Sequence, residues 1–255
     1  MTLRKFLFAA LCVVFAASAL AQDSPKAEPA GKITFLKGTA EVSRGGKSVA
    51  LSEQQEIYWG DTVTTGKSRS RLEIRLNDGS FVRLAQGSKL VIEKAAFGSG
   101  ERTFSAEIKT GKLYALAAKV AGEKNTFQVK TSTAVAGVRG TTFRIDAKKD
   151  GATVVRVYTG AVAVSNAPVF AKKAGQLPAE GGTKKGVKPG GPGRVEVPGP
   201  HEVSRREWEE IVAQAMQEIK VSADGRLGPA VAFDAEKDAA DEWVAWNKAR
   251  DAEVK

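Results

Sequence analysis

The chain is nearly devoid of the side chains on which most metal and thiol enzymes depend. One cysteine, Cys12, and one histidine, His201, occur in 255 residues. Cys12 lies inside an apolar leader, so the remainder holds no thiol, no disulfide and no cysteine redox chemistry. No spacing of cysteine, histidine and carboxylate groups suggests zinc, iron or copper. His201 stands in a Pro-Gly-Pro-His loop, and the G-x-S-x-G turn that a serine nucleophile would need is missing. Walker A and G-x-G-x-x-G runs are missing too, so no nucleotide cofactor is expected. Only a carboxylate-based hydrolase stays open, because paired Asp or Glu can be distant in sequence. The acids here are scattered outward, and the chain reads as a non-enzyme with no metal and no cofactor. Beyond the leader no apolar run approaches the ~20 residues of a membrane span.

What is present begins with that leader. Arg4 and Lys5 form a basic start, Phe6 to Ala17 an apolar stretch, and Ala19-Leu20-Ala21 a small-residue cleavage site. Residues 1–21 therefore read as a secretory signal peptide cleaved after Ala21, which predicts a periplasmic, exported protein. Charge is unevenly distributed. Residues 22–167 carry 23 Lys/Arg against 14 Asp/Glu, residues 168–198 carry 6 against 2, and residues 199–255 carry 8 against 13. A basic body with an acidic tail implies either a polyanionic partner, such as lipid headgroups or envelope polysaccharide, or an internal dock of tail on body. Nucleic acid is not expected for an exported chain.

From Lys32 to Asn166 the pattern has period two. In RLEIRL, Leu72, Ile74 and Leu76 share one face while Arg71, Glu73 and Arg75 share the other, the face expected to meet water. Asn77-Asp78-Gly79, Gly45-Gly46 and Asp150-Gly151 supply turn chemistry between such runs. A weak echo joins Leu36-Lys37-Gly38-Thr39, Ile108-Lys109-Thr110-Gly111 and Tyr158-Thr159-Gly160-Ala161, each a strand broken at glycine, where a bend belongs. The expected fold is mainly β, either a two-layer sandwich or a short irregular β-solenoid, over residues 31–167.

Residues 171–200 hold five of the nine prolines and few large apolar groups, and are expected to be an extended linker. One or two helices are predicted in the segment 203–253. Ser204 and Glu207 form a capping box, after which Trp208, Ile211, Val212, Ala215, Met216 and Ile219 recur at helical spacing. That stripe is expected either to pack on the β body or to dock a partner protein. A second helix is expected from Ala235 to Arg250, beginning after Asp234 and placing Trp243 and Trp246 on neighbouring turns.

The stretch VKTSTAVAGVRGTTFRID is the most specific in the chain. Ala136-Gly137-Val138-Arg139-Gly140-Thr141 resembles the A-G-V-R-G-T core of the FecR domain, with Ser132-Thr133 where a proline is usual. Gly60-Asp61-Thr62-Val63 with Thr65-Gly66, then Asp78-Gly79-Ser80, then Val157-Tyr158-Thr159-Gly160 resemble further segments of that family in the same order. The resemblance implies a periplasmic, non-catalytic β module that works by protein contact or envelope recognition. In the best-known members a cytoplasmic segment and a membrane helix precede this domain and control a sigma factor. A cleavable leader stands there instead, so relay across the membrane is not expected of this chain. Physically, Thr131 and Thr133 suit an extended strand, while Gly137 and Gly140 permit a tight turn or positive φ around Arg139. Arg139 itself is expected either to clamp nearby carbonyls or to grip an anionic ligand.

Overall fold

The computed structural model describes residues 28–98, 101–119, 125–166 and 210–254. The leader, the proline-rich linker, His201, the Ser204 capping box and Trp208 lie outside the described residues. Along the chain run β1 (Gly31–Lys37), β2 (Ala40–Arg44), β3 (Lys47–Ala50), β4 (Glu56–Ile57), β5 (Thr62–Thr65) and β6 (Arg71–Leu76). Next come β7 (Phe81–Leu84), β8 (Lys89–Gly98), β9 (Glu101–Leu116), β10 (Thr126–Lys130), β11 (Ala134–Val138) and β12 (Thr142–Ala147). Then follow β13 (Thr153–Thr159), β14 (Ala161–Asn166), β15 (Glu210–Gln214), β16 (Gln217–Val221), β17 (Val231–Ala232), α1 (Ala235–Ala239) and α2 (Glu242–Glu253).

These strands pair into two layers that β9 joins. One layer has the order β4-β1-β6-β7-β9-β12-β13-β16-β17, using the second half of β9. The other has the order β3-β2-β5-β8-β9-β10-β11-β14-β15, using its first half, with β9 and β10 parallel. The fold is mainly β, as expected, and the arrangement is a sandwich. Facing side chains such as Ile33, Ile74, Leu84, Leu113, Phe143 and Val155 meet Val63, Ile92, Phe104, Phe127, Val129 and Val164, all essentially inaccessible. Phe127 lies 4.8 Å from Phe104, a neighbour in its own layer, and edge-on at 6.4 Å from Phe143 of the opposite layer, joining the two sheets across the core.

The echoed glycines mark where the chain passes from one layer to the other. Gly38 (φ 78°) separates β1 from β2, Gly111 (φ 100°) lies within β9, and Gly160 (φ 81°) separates β13 from β14. At Gly111 a side chain is excluded by contact as well as by conformation, since a Cβ there would lie 2.5 Å from Ser88 Cα. The corners also bond to one another: Gly66 N–H donates to Thr39 O at 2.7 Å and Gly87 N–H to Gly66 O at 2.9 Å.

The helix expected after Ser204 is corrected by the structure. Residues 210–221 form two strands, β15 in one layer and β16 in the other, joined by a turn at Ala215 and Met216. Ile211, Ala213, Ile219 and Val221 face the core, whereas Val212 and Met216 are exposed. Trp208 aside, the helical stripe Ile211, Val212, Ala215 and Ile219 is therefore not a stripe at all. The same residues read equally well as two alternating strands, and the sheets decided between them. β15 satisfies the open backbone edge of β14, and β16 that of β13. The sheets thus extend beyond residue 166. The second expected helix is present as two pieces. Asp234 caps α1 by accepting from the Glu236 and Lys237 N–H groups, and Asp241 caps α2 by accepting from Trp243 N–H.

Candidate functional site

Each resembling motif contains a corner or a turn. Asp61 is fully buried behind Gly60 (φ 84°) and accepts from Tyr58 N–H at 2.8 Å. It also accepts both Arg44 Nε and Nη2 at 2.7 Å, while the Arg44 guanidinium lies over the Tyr58 ring. That hydrogen-bonded pair with Asp61 holds the guanidinium above its ordinary pKa. Asp78 closes the hairpin before β7 by accepting from Ser80 N–H and Oγ–H, and pairs with the buried Arg102 at 2.9 Å. Gly79 supplies the positive φ of that turn.

The central motif divides. Gly137 does not turn; it lies in β11 between Gln128 and Ala163. Val138 is buried, Arg139 presents its side chain at the surface, and Gly140 (φ 62°) makes the corner into β12. Thr141 is buried and donates from Oγ1 to Ala161 O at 3.0 Å, so the Gly140 corner stacks on the Gly160 corner. Two motifs separated in sequence are thereby brought together. The expectation for Thr131 and Thr133 is corrected: they form the bend between β10 and β11, tied to Thr153 by hydroxyl contacts of 2.8 and 3.0 Å. Hydroxyls bonding a nearby backbone favour such a bend over a ladder.

A second constellation was not anticipated. On the outer face of the first layer, cross-strand neighbours run Phe35, Glu73, Arg83, Tyr114, Arg144, Arg156 and Glu218, each directly opposite the next. This row was expected to meet water. Instead α1 and α2 lie across it, and Glu73 and Arg83 are inaccessible. Glu73 accepts from Arg83 and Arg250 at 2.6 Å each and from Thr34 at 2.8 Å. Arg83 also donates to Asp251 at 2.5 Å and to Asn247 O at 3.1 Å. Arg144 and Arg156 face each other, a repulsive pairing, and the acids around them compensate. Asp146 accepts from Arg144 at 2.8 and 2.7 Å, and Asp238 of α1 accepts from Arg144 at 3.1 Å and from Tyr158 at 2.9 Å. Trp243 and Trp246 stack at 5.1 Å, and Trp246 meets Phe35 at 5.3 Å.

These surroundings shift ionisation. Burial works against the Glu73 carboxylate, yet the bonds from Arg250, Thr34 and Arg83 hold its pKa below the usual range. Burial, reinforced by Asp251, pushes the Tyr114 phenol well up, and burial does the same at Tyr158. No signal within residues 71–83 announced this, because the partners lie more than 160 residues away. The tail's acidity was the one available clue.

Among the described residues no group of three or more His, Cys, Asp or Glu is placed to hold a metal ion. Nor is any described helix long and apolar enough to cross a membrane. A groove of about 570 Å³ opens at the motif end of the sheet, lined by Gly140, Thr141, Thr159, Tyr114, Lys248 and Asp251.

Fold and site define a two-layer β module whose buried polar groups are spent on corners and on holding its own tail. Residues 61–163 match the model described as FecR protein, and the chain carries a FecR family domain there. Two crystal structures, each of a Parabacteroides distasonis ATCC 8503 protein assigned as an anti-sigma factor, align with this chain. The first is 19% identical with a TM-score of 0.45, and covers 73% of this chain and 64% of its own. The second is 18% identical with a TM-score of 0.44, and covers 69% and 61%. This chain thus spans less than two thirds of those proteins' length. No curated protein matches it.

Proposed function

We propose that the chain is an exported, non-catalytic binding or sensing module that acts through protein contact in the cell envelope. The FecR family domain over residues 61–163 carries this reading. The internal docking of the acidic tail supports it against the purely electrostatic alternative. Arg71, Arg83, Lys112, Arg144 and Arg156 of the body are all paired with acids that follow residue 209. Five body cations are therefore neutralised by the tail within the molecule and not offered to a lipid or polysaccharide surface. Export rests on the leader's three-part pattern. Arg139, exposed on the Gly140 corner beside the 570 Å³ groove, belongs to the contact surface in this reading.

Crosslinking in intact cells, with a photoreactive side chain in place of Lys248 on the rim of the same groove and identification of what is captured, tests the reading. A defined envelope protein should be captured, and Arg139→Ala should weaken capture while leaving stability within about 0.5 kcal/mol, as for an exposed site. A loss of stability near 2 kcal/mol with capture intact would make Arg139 a structural clamp instead. Fractionation that finds the chain in the cytoplasm with residues 1–21 attached would refute export.

A further inference from the structure

We infer that the opposite end of the same sheet, where α2 begins, is a binding groove for an acidic polypeptide segment; this deepens the protein-contact reading and rests on it. A cavity of about 680 Å³ opens there between the layer-crossing corners and the first turn of α2. That volume lies within the ~300–1,000 Å³ typical of ligand sites. Its rim carries Lys67, Arg69, Lys148 and Lys149, all exposed. Its acids are already engaged: Asp146 by Arg144, Asp241 by Lys112 at 3.0 Å, and Glu242 by Arg71 at 2.6 Å. The four rim cations make no ion pair among the described residues, so their charge is uncompensated. A concave surface with an excess of one sign of charge, here six cations against three acids, concentrates field and draws in the opposite charge.

Arg69 adds a second observation. Its backbone sits at φ 46°, a costly conformation for a residue with a side chain, and its N–H donates to Gln86 Oε1 at 2.6 Å. The chain holds an arginine at the lip of the groove where glycine would be unstrained. The nature of the occupant follows from what the molecule does next door. Arg71 and Lys112, continuous with the rim, already bind carboxylates presented by a polypeptide, the Asp241-Glu242 start of α2. Carboxylates on a peptide backbone are therefore the demonstrated partners of this strip. Trp243, Ala85 and Ala147 line the floor and provide an apolar surface for side chains between the acids.

The test uses the mature chain and fluorescein-labelled hexaglutamate, followed by anisotropy. Lys67→Glu with Lys149→Glu should weaken binding by roughly tenfold at unchanged melting temperature. Lys47→Glu with Lys94→Glu, exposed elsewhere and equal in charge, should change it by less than about twofold. Equal losses in the two double variants would overturn the groove, since only net charge would matter. So would binding of phosphatidylglycerol vesicles that depends on Lys67 and Lys149 when hexaglutamate does not bind. Crosslinking in cells with the same variants separates this proposal from the reading it rests on. Capture lost only with the Lys67/Lys149 pair supports the groove. Capture retained by both pairs overturns the groove and leaves protein contact standing, and capture by no version overturns both.

Discussion

Gly60 and Gly111 share a backbone region yet differ in what surrounds them, and the pair shows how a single residue specifies this fold. Both have positive φ, at 84° and 100°. Around Gly60 a Cβ would meet nothing within 4 Å, whereas at Gly111 it would strike the Ser88 backbone. Gly60→Ala should therefore cost about 1–2 kcal/mol, the price of the left-handed conformation alone. Gly111→Ala should cost clearly more, because β8 and β9 must part to admit the methyl group. Urea titrations of the two variants check this; equal midpoints would mean that the corners do not rely on close approach. Asp61 and Asp78 teach a related lesson. Buried carboxylates in family motifs are here turn closures with arginine partners, Arg44 and Arg102, rather than reactive acids.

Among the elements, the tail pieces divide into two kinds. β15 and β16 complete backbone ladders, while α1 and α2 only cover a side-chain face. Deleting residues 234–255 should leave both sheets paired and cost on the order of 3 kcal/mol, chiefly the burial of Trp243 and Val244. Glu73 and Arg83 would then be solvated together, so no buried charge is orphaned. Deleting residues 210–255 should be far worse, since it strips an edge from each layer and exposes Val155 and Val164, both now inaccessible. Far-UV circular dichroism and urea midpoints distinguish the two deletions. A tail-less protein as stable as the full chain would show that the charged row needs no cover.

For the whole molecule, the charged row should appear as a pH dependence of stability. Glu73 and Glu218 of that row, Asp241 at the start of α2, and Glu93 on β8 of the other layer are each opposed by burial but held below their ordinary range by hydrogen bonds from basic or hydroxyl partners. The unfolded chain then takes up protons more readily than the folded one. Their stabilisation is complete above about pH 4.5, the ordinary glutamate value, and is lost as pH falls through the depressed values. Tyr114 and Tyr158 act in the opposite sense. Burial raises them, so their contribution is complete below about pH 10 and declines above it. Stability measured by urea should be flat between about pH 6 and 9 and should fall on both sides. The version lacking residues 234–255 should give a flatter profile, because Asp241, the Arg250 partner of Glu73 and the cover over both tyrosines are gone. Identical profiles would place the acid sensitivity elsewhere.

The amino-acid order alone determined what depends on near neighbours. Alternation in RLEIRL and TFRIDA, the Asp78-Gly79 turn, the Asp234 cap and the glycine-broken echoes are all set within a few residues. They defined strands, turns and a mainly β class. The FecR motifs were legible for the same reason, since each contains a local corner. Only the tertiary structure decided the identity of residues 210–221, because Ile211 to Val221 satisfies both a helical and a strand period and the open edges of β13 and β14 broke the tie. It alone turned the polar face of the first layer into a covered one. A period-two pattern states which residues share a face, but burial of that face is decided by whatever arrives from elsewhere, here Arg250 onto Glu73 across 177 positions.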